Sequence, residues 1–240
     1  MTLDEVLASL FPEGHRVQRG HFNTVHGTGR CAGRDIAIAG ITDGAPIGID
    51  NALILAQDIL SIIESGGAAP ILVLVDASIQ NMTRRDELLG LNEYLGHLGK
   101  VLALAASHGH RTVALLYGPA AGGSLIATGL AAQILVTLPG GEPSVMDLPS
   151  MARVTKLPLG ELQAMAKTTP IFAPGADNYF LTGAITERCD SHIPLSGQLT
   201  ALVTRPVESH DRRDEVGLER KGRLEAAKIA RRVLAEVANV

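Results

Sequence analysis

The sequence predicts an α/β fold built on a largely parallel sheet, and three observations predict it. ILVLV (71–75) is a continuous apolar run with no alternation, the mark of a strand covered on both faces. Around and after it, strand-length runs alternate with stretches of helical spacing, and strand–helix–strand order implies right-handed crossovers. Third, aromatics make up only 3% of the chain and Trp is absent, while 46% is hydrophobic. The core is therefore aliphatic and rich in Ala and Gly, which suits helices packed closely on a sheet. At 240 residues one domain over 1–240 is expected, able to bury roughly 70–75% of the surface its unfolded chain exposes.

Taken in order, residues 3–10 read as a short amphipathic helix ending near Pro12 and Gly14. Residues 15–34, with four glycines and three histidines, read as loop or edge strand. DIAIAGIT (35–42) alternates and reads as a strand. Asp50 is placed to cap a helix running to about Glu64, with Leu53, Ala56, Ile59, Leu60 and Ile63 on its inner face. Gly66-Gly67 stops that helix, and Pro70 opens the strand 71–75. A long helix is expected over 84–107, with Leu88, Leu91, Leu95, Leu98, Leu102 and Ala105 as its core stripe. Strand 112–117, helix 122–132 and strand 134–137 come next. After Pro139 the pattern breaks into a short strand and helix within 144–158 and helical pieces at 159–167 and 176–183. A polar linker, 208–215, precedes a charged final helix over about 215–238.

Charge and composition exclude several classes. The net charge is −4 and no basic patch precedes the C-terminal tail, so nucleic-acid binding has little support. Cys31 and Cys189 lack CxxC spacing and make no disulfide framework. The acidic opening MTLDEVLASLFPEGH is not a signal peptide, and no apolar run approaches the ~20 residues of a membrane span. A soluble, cytoplasmic chain is the expectation.

The stretch that points to chemistry is YGPAAGGSLIATGL (117–130). Two adjacent glycines stand where a buried strand hands over to a helix. The first amides of a helix lack intrahelical acceptors and carry positive partial charge. Glycine leaves them unobstructed, which makes a socket for an anion or a developing oxyanion. The GxxxxGK[ST] and GxGxxG phosphate loops are absent, and no Lys or Arg lies between Arg111 and Arg153. A transient charge such as an enolate or a tetrahedral oxyanion then fits better than phosphate. The alternative is that the glycines only permit close helix–sheet packing.

Residues 69–130, with PSVMDLPSMARV (143–154) and GADNYFLTGAITERCDSHIPL (175–195), resemble the carboxyltransferase branch of the crotonase superfamily. With LASLFPEGH and the length added, the chain is similar to the γ subunits of malonate decarboxylases, particularly the biotin-independent type. The resemblance implies a crotonase-like (ClpP/crotonase) spiral of ββα units with a C-terminal helix. It implies a decarboxylase subunit, a carboxy-lyase active only in a complex with a β subunit. The substrate would be malonyl-S-acyl-carrier-protein and the products acetyl-S-acyl-carrier-protein and CO2. A transferase subunit would exchange acetyl for malonate. The thioester would sit on a phosphoribosyl-dephospho-CoA type prosthetic group of the carrier subunit, with no cofactor or metal on this chain.

Carried onto this sequence, the resemblance matches Gly122 and Gly123 to oxyanion-type backbone amides. Gly118 shapes the turn and Ser124 stands just inside the helix. One departure bears on this. Where relatives carry D-T-P-G-A after the strand, this chain reads DASIQNMTRRDE (76–87), so a second amide from that loop is in doubt. Candidates for protonating an enolate are His97, Tyr94, Glu93 and Tyr117, with Tyr94 and His97 also candidate substrate contacts. Asp76 ends a buried strand and could either serve a site or cap the adjoining loop. Arg84 and Arg85 open a helix against its dipole, which suggests either an anionic partner or pairing with Asp86 and Glu87. His108 and His110 offer too few ligands for a metal, and His15, His21 and His26 lack zinc spacing. Arg212, Arg213, Arg220, Lys221 and Arg223, interleaved with acids, read as a solvated face or a docking face for an acidic carrier. Two other functions remain open: a non-catalytic scaffold for the β subunit, and a stand-alone acyl-thioester hydratase or isomerase, the latter weakened by the lack of a Glu pair.

Overall fold

The computed structural model describes residues 1–206, 208 and 210–237. Its centre is one sheet. Strands β1 (His15–Arg19), β2 (Thr24–Cys31) and β3 (Arg34–Gly44) are antiparallel neighbours. Strands β4 (Ile71–Ala77), β5 (Thr112–Ala121), β6 (Ile134–Thr137) and β8 (Glu187–Arg188) then add in parallel, in the order β1-β2-β3-β4-β5-β6-β8. Strand β7 (Glu142–Ser144) pairs with the far end of β5. Helices α2 (Ile49–Glu64), α4 (Leu91–Ser107) and α5 (Gly122–Ala127) cover one face. Helices α1 (Leu3–Leu10) and α9 (Leu195–Thr204) cover the other.

The unbroken apolar run of β4 has the cause expected of it. Ile71, Val73 and Val75 pack in the α2/α4 layer, while Leu72 and Leu74 pack in the α1/α9 layer. Each side chain is essentially inaccessible. Burying a Leu, Ile or Val is worth roughly 1.5–3 kcal/mol, so both layers contribute to holding the strand. At the other end of the chain, α1 starts as predicted. The Thr2 hydroxyl accepts the Glu5 N–H and the Glu5 carboxylate accepts the Thr2 N–H, a reciprocal cap.

Several boundaries differ from the sequence reading, each for a tertiary reason. Of the two readings of residues 15–34, loop or edge strand, the strand one holds: β1 is the sheet edge and β2 joins it to β3, which offers the edge to pair with, so the segment carries two strands rather than one. Helix α2 starts two residues earlier than an Asp50 cap would allow, at Ile49 with Gly48 as its cap. The Asn51 side chain accepts the Gly48 N–H, and Asp50 is drawn away to Arg85. Leu53 is exposed while Ala52 and Leu55 are buried, so the inner face is rotated from the one read. The predicted helix 84–107 is two: α3 (Arg84–Leu88) and α4, separated by Gly90 in the left-handed region. Leu88 consequently leaves the core stripe, whereas Leu91, Leu98, Leu102 and Ala105 keep to it. Helix α5 ends at Ala127 rather than 132, and β5 runs on to Ala121. Helices α6 (Leu148–Thr155), α7 (Leu159–Ala166) and α8 (Ala176–Leu181) fall close to the expected pieces, while α9 was not foreseen.

The final helix is also two: α10 (Arg213–Glu219) and α11 (Leu224–Val237); Ala238 and part of the 208–215 linker lie outside the described residues. Docking against α8 explains the break. A Cβ at Gly217 would lie 2.2 Å from the Thr182 carbonyl oxygen, so only glycine allows the approach. The Arg220 guanidinium then donates to the carbonyls of Phe180, Ile185 and Thr186 at 2.8, 2.9 and 3.1 Å and lies 3.7 Å from the Phe180 ring centre. Arg220→Met removes these donors and leaves carbonyls unpaired. A loss of about 2–3 kcal/mol in chemical denaturation is expected, and an unchanged midpoint would overturn this account of the clamp.

A second prediction concerns Asp58 on α2. His26 Nδ1 and Asp58 Oδ2 face each other at 3.9 Å, too far for a hydrogen bond, and both atoms are buried without a partner. Burial raises the Asp58 pKa, against a smaller opposing pull from His26. Folding therefore favours the protonated acid. That stabilisation is present below the ordinary carboxylate value near about 4 and is lost as pH rises through the raised value. Asp58→Asn should be as stable as the parent or more so near neutral pH, with the gap in the variant's favour closing in acid. Denaturation curves showing the opposite slope would refute it.

Candidate active site

The carboxyl ends of β3, β4 and β5 form the candidate site, the edge at which parallel α/β sheets place their chemistry. Strand β5 does not stop at Tyr117. It continues through Gly118–Ala121, with Ala120 beside Ala77 of β4 and Pro119, Ala120 and Ala121 beside β7. At Gly122, where φ is 54°, the chain turns straight from strand into α5. A left-handed residue at this bend is cheap only for glycine. Ser124 is fully buried and its hydroxyl donates to the Ala121 carbonyl at 2.7 Å. It braces the bend from inside and presents no open nucleophile.

Gly118 is required for a different reason. A Cβ there would lie 2.0 Å from Asp76 Oδ1, so the Asp76 carboxylate rests against bare backbone. Tyr117 points into the opposite layer. Its hydroxyl donates to Thr42 Oγ1 at 2.8 Å in a buried setting. Burial, reinforced by the charges of Asp76 and Asp43 against the Thr42 hydrogen bond, pushes this phenol up to about 12.

The residue that sequence reasoning missed is Gln80. The loop carrying it is stitched to the β3–α2 connection by Ile47 N–H to Ile79 O at 2.9 Å and Asn81 N–H to Ile47 O at 2.7 Å. From there the Gln80 side chain reaches the glycine bend, and its Oε1 accepts the Gly123 N–H at 2.9 Å. A Cβ at Gly122 would lie 2.5 Å from the same oxygen. The Gly123 amide is thus engaged within the chain rather than open. The departure at DASIQNM was visible in the sequence, but nothing local says where a glutamine in a loop will reach.

Beside this loop lies a pocket of about 200 Å³ with a mixed lining that includes Phe22, Gly48, Asn51, Asn81 and Asp86. Asp86 is 1% exposed and accepts hydrogen bonds from Asn81 at 2.7 Å and Arg85 at 3.2 Å. Arg85 also grips Asp50 through two hydrogen bonds of 2.7 and 3.0 Å. This pairing lowers the Asp50 pKa and raises that of Arg85. Arg85 therefore ties α3 to α2, and the pairing reading of the two arginines holds for it. Arg84 is exposed.

The remaining candidates scatter. Tyr94 is half-buried against the α2/α4 layer, while His97 and Glu93 are exposed on α4. His108 bonds the Leu104 carbonyl at 3.0 Å and His110 the Ala69 carbonyl at 2.8 Å, at the amino end of the strands. Among the described residues no three His, Cys, Asp or Glu side chains form a group that could hold a metal. Cys31 and Cys189 are buried free thiols, and burial pushes Cys189 up to about 11. Among the described residues no helix is long and apolar enough to cross a membrane. In the C-terminal region, Arg212 pairs with Glu215, Arg213 with Asp211 and the Leu130 carbonyl, and Arg220 with carbonyls of its own chain. Those guanidinium groups hold the fold together, which leaves less of the basic face for a carrier.

The Gly118–Asp76 contact generates a double-mutant prediction. Gly118→Ala alone should cost about 1–3 kcal/mol by overpacking. In an Asp76→Ala background most of the clash disappears, so the same substitution should cost less by about 1 kcal/mol or more. Equal costs in both backgrounds would rule out the contact as its cause.

Three comparisons bear on this geometry. The model of the malonate decarboxylase gamma subunit family matches residues 42–237. The malonyl-S-ACP:biotin-protein carboxyltransferase MADD of Malonomonas rubra is 33% identical over 121 residues. That match takes in 49% of this chain and 41% of the relative, so the chain spans less than half the length of that curated relative. A Pseudomonas malonate decarboxylase hetero-tetramer in complex with coenzyme A superposes with a TM-score of 0.74 at 22% identity, over 97% of each chain. The Pseudomonas MdcD-MdcE hetero-dimer gives 0.72 at 23% identity, again over 97% of each. The fold is accordingly of the crotonase-like, carboxyltransferase type. With most of its length, the glycine bend included, inside the family match, this chain belongs to the malonate decarboxylase gamma subunit family.

Proposed function

We propose that this chain is the γ half of a two-subunit decarboxylase that converts malonyl-S-acyl-carrier-protein to acetyl-S-acyl-carrier-protein and CO2. The observation that carries the reading is the glycine bend at the carboxyl edge of the sheet, in a chain of this family. Loss of CO2 breaks the bond between the malonyl α-carbon and its carboxylate. The electron pair moves toward the thioester oxygen as an enolate, and a proton then reaches the α-carbon. Hydrogen-bond donors aimed at that oxygen stabilise the enolate more than the ground state and so lower the barrier. The bend is proposed to supply that stabilisation, with Gly122 and, once released from Gln80, Gly123 as its backbone donors, Gly118 and Ser124 holding its shape, and the enzyme activity belonging to the assembled complex.

Open apolar surface supports a partner of the β type. Met82, Leu88, Leu89 and Ile126 are exposed on the segments that border the site. Helix α11 likewise exposes Ile229, Val233, Leu234 and Val237 at helical spacing, opposite its charged face. Patches of this sort mark interaction surfaces. A carrier subunit with its thioester arm, and a transferase subunit that recharges it, complete the proposed system. A soluble, cytoplasmic assembly is proposed with them.

The MADD relative motivates a second reading, in which the carboxylate goes to a biotin-bearing protein rather than leaving as CO2. One assay separates the two. Carboxylate-labelled malonyl carrier would be incubated with this chain, a β-type partner, and both together, with and without a biotinylated carrier. Free labelled CO2 from the mixture alone, without biotin, is expected. Release only when biotinylated protein is present would support transfer instead. Full activity from the partner alone would make this chain a scaffold.

A further inference from the structure

Gln80 has a second end. A backbone N–H can face only the carbonyl oxygen of a side-chain amide, so the 2.9 Å contact with Gly123 fixes which way the Gln80 amide points. Its Oε1 is committed, and its NH2 group is turned away from Gly123. Among the described residues Nε2 has no hydrogen-bond partner, and it lies 3.5 Å from where a Cβ of Gly122 would stand. The side chain is held at both ends, by the pairing of its backbone with Ile47 and by Gly123. It is neither fully buried nor fully exposed. The result is a donor with two free N–H bonds, locked in orientation beside the bare backbone of the bend.

We propose that Gln80 contacts the substrate: its Nε2 amide donates to the thioester oxygen as that oxygen becomes the enolate oxygen. This rests on the decarboxylase reading and revises one part of it. Gly123 acts through Gln80, as the anchor that aims the side-chain donor, rather than by touching substrate itself. No proton is transferred by Gln80; its hydrogen bond to the thioester oxygen strengthens as negative charge develops there, so it favours the transition state over the ground state. A donor fixed before the charge develops needs no reorganisation, which is what makes such donors effective. It also replaces the loop amide that DASIQNM was not expected to provide.

The competing view is that Gln80 plugs the Gly123 amide and must leave before substrate binds. The two views predict opposite signs. The test uses the complex of this chain with its β-type partner and malonyl carrier. Gln80→Met keeps length and removes both polar ends. Gln80→Glu keeps an acceptor for Gly123 but removes the donor. Both variants should lose about 10²–10³-fold in kcat with little change in KM, while co-purification with the partner is retained. Gln80→Met at or above the parent rate would overturn the proposal in favour of the plug. Gln80→Glu near the parent rate, with Met impaired, would overturn it in favour of a purely structural cap. Failure of the Glu variant to assemble would do the same, since the nitrogen would then serve the fold. An inactive parent complex would sink the decarboxylase reading itself, and this proposal with it.

Discussion

Strands β3, β4 and β5 are covered on both faces, and the rest of the molecule answers to that constraint. A strand buried on both sides has no solvent to satisfy its backbone, so every N–H and C=O must find a partner in a neighbouring strand. Parallel pairing meets the demand only if long crossovers return the chain to the same end each time. Helices α2 and α4 are those crossovers, and their apolar stripes supply one of the two covers. The same geometry collects the connections leaving β3, β4 and β5 at a single edge. The polar residues Asp76, Gln80 and Asn81 and the glycine bend meet there because the core admits them nowhere else.

Of the six residues other than glycine that have positive φ among the described residues, three lie along that edge. Phe22, Asn23 and Asp43 all have positive φ without being glycine, at 54°, 59° and 63°. Each such residue costs of order 1–3 kcal/mol and persists only where its surroundings hold it. Here they are held: Asn23 and Arg19 both bond the Asp43 carboxylate, and the Phe22 carbonyl accepts from Asn51 at 3.5 Å. Asn51 also caps the start of α2, and Asp86, by which Asn81 and Arg85 are held, lines the pocket beside it. Strain and buried polar contacts therefore share one corner of the fold, next to the bend.

How far the sequence could be read depends on the range of each cause. Periodicity is local, so α1, β4, β6 and the buried stripe of α4 were legible, and so was the glycine bend as the place where β5 hands over to α5. Tertiary causes were not. Gly90 looked like one more glycine in a helical run, yet it ends α3. The bend between α10 and α11 depends on Gly217 meeting α8 and on Arg220 reaching three carbonyls across 34 to 40 residues of chain. Residues 15–34 are poor in strand formers and become strands because an edge is available to them. The site was legible as a backbone feature and illegible as a set of side chains. Arg85, read with Arg84 as a possible anion contact, is committed to Asp50, and Tyr117 faces the other layer. Gln80 lies 43 residues from the amide it caps.

The open apolar surface bears on the proposed partner, because the chain already has a well-packed core. Its two core layers are complete: side chains such as Leu98 and Leu102 on one side and Val6 and Leu72 on the other are essentially inaccessible. The exposed residues Met82, Leu88, Leu89 and Ile126 therefore do not repair a deficient core. They sit on the segments next to Gln80 and on α5 itself, so covering them would also wall the glycine bend off from water. Excluding water strengthens every charge–dipole interaction inside a site. A donor such as the Gln80 amide would stabilise an enolate weakly at an open edge and more strongly beneath a partner. On the proposed reading, completing the site and burying the apolar rim are one event, and that would be a physical reason for dividing the proposed decarboxylase between two chains.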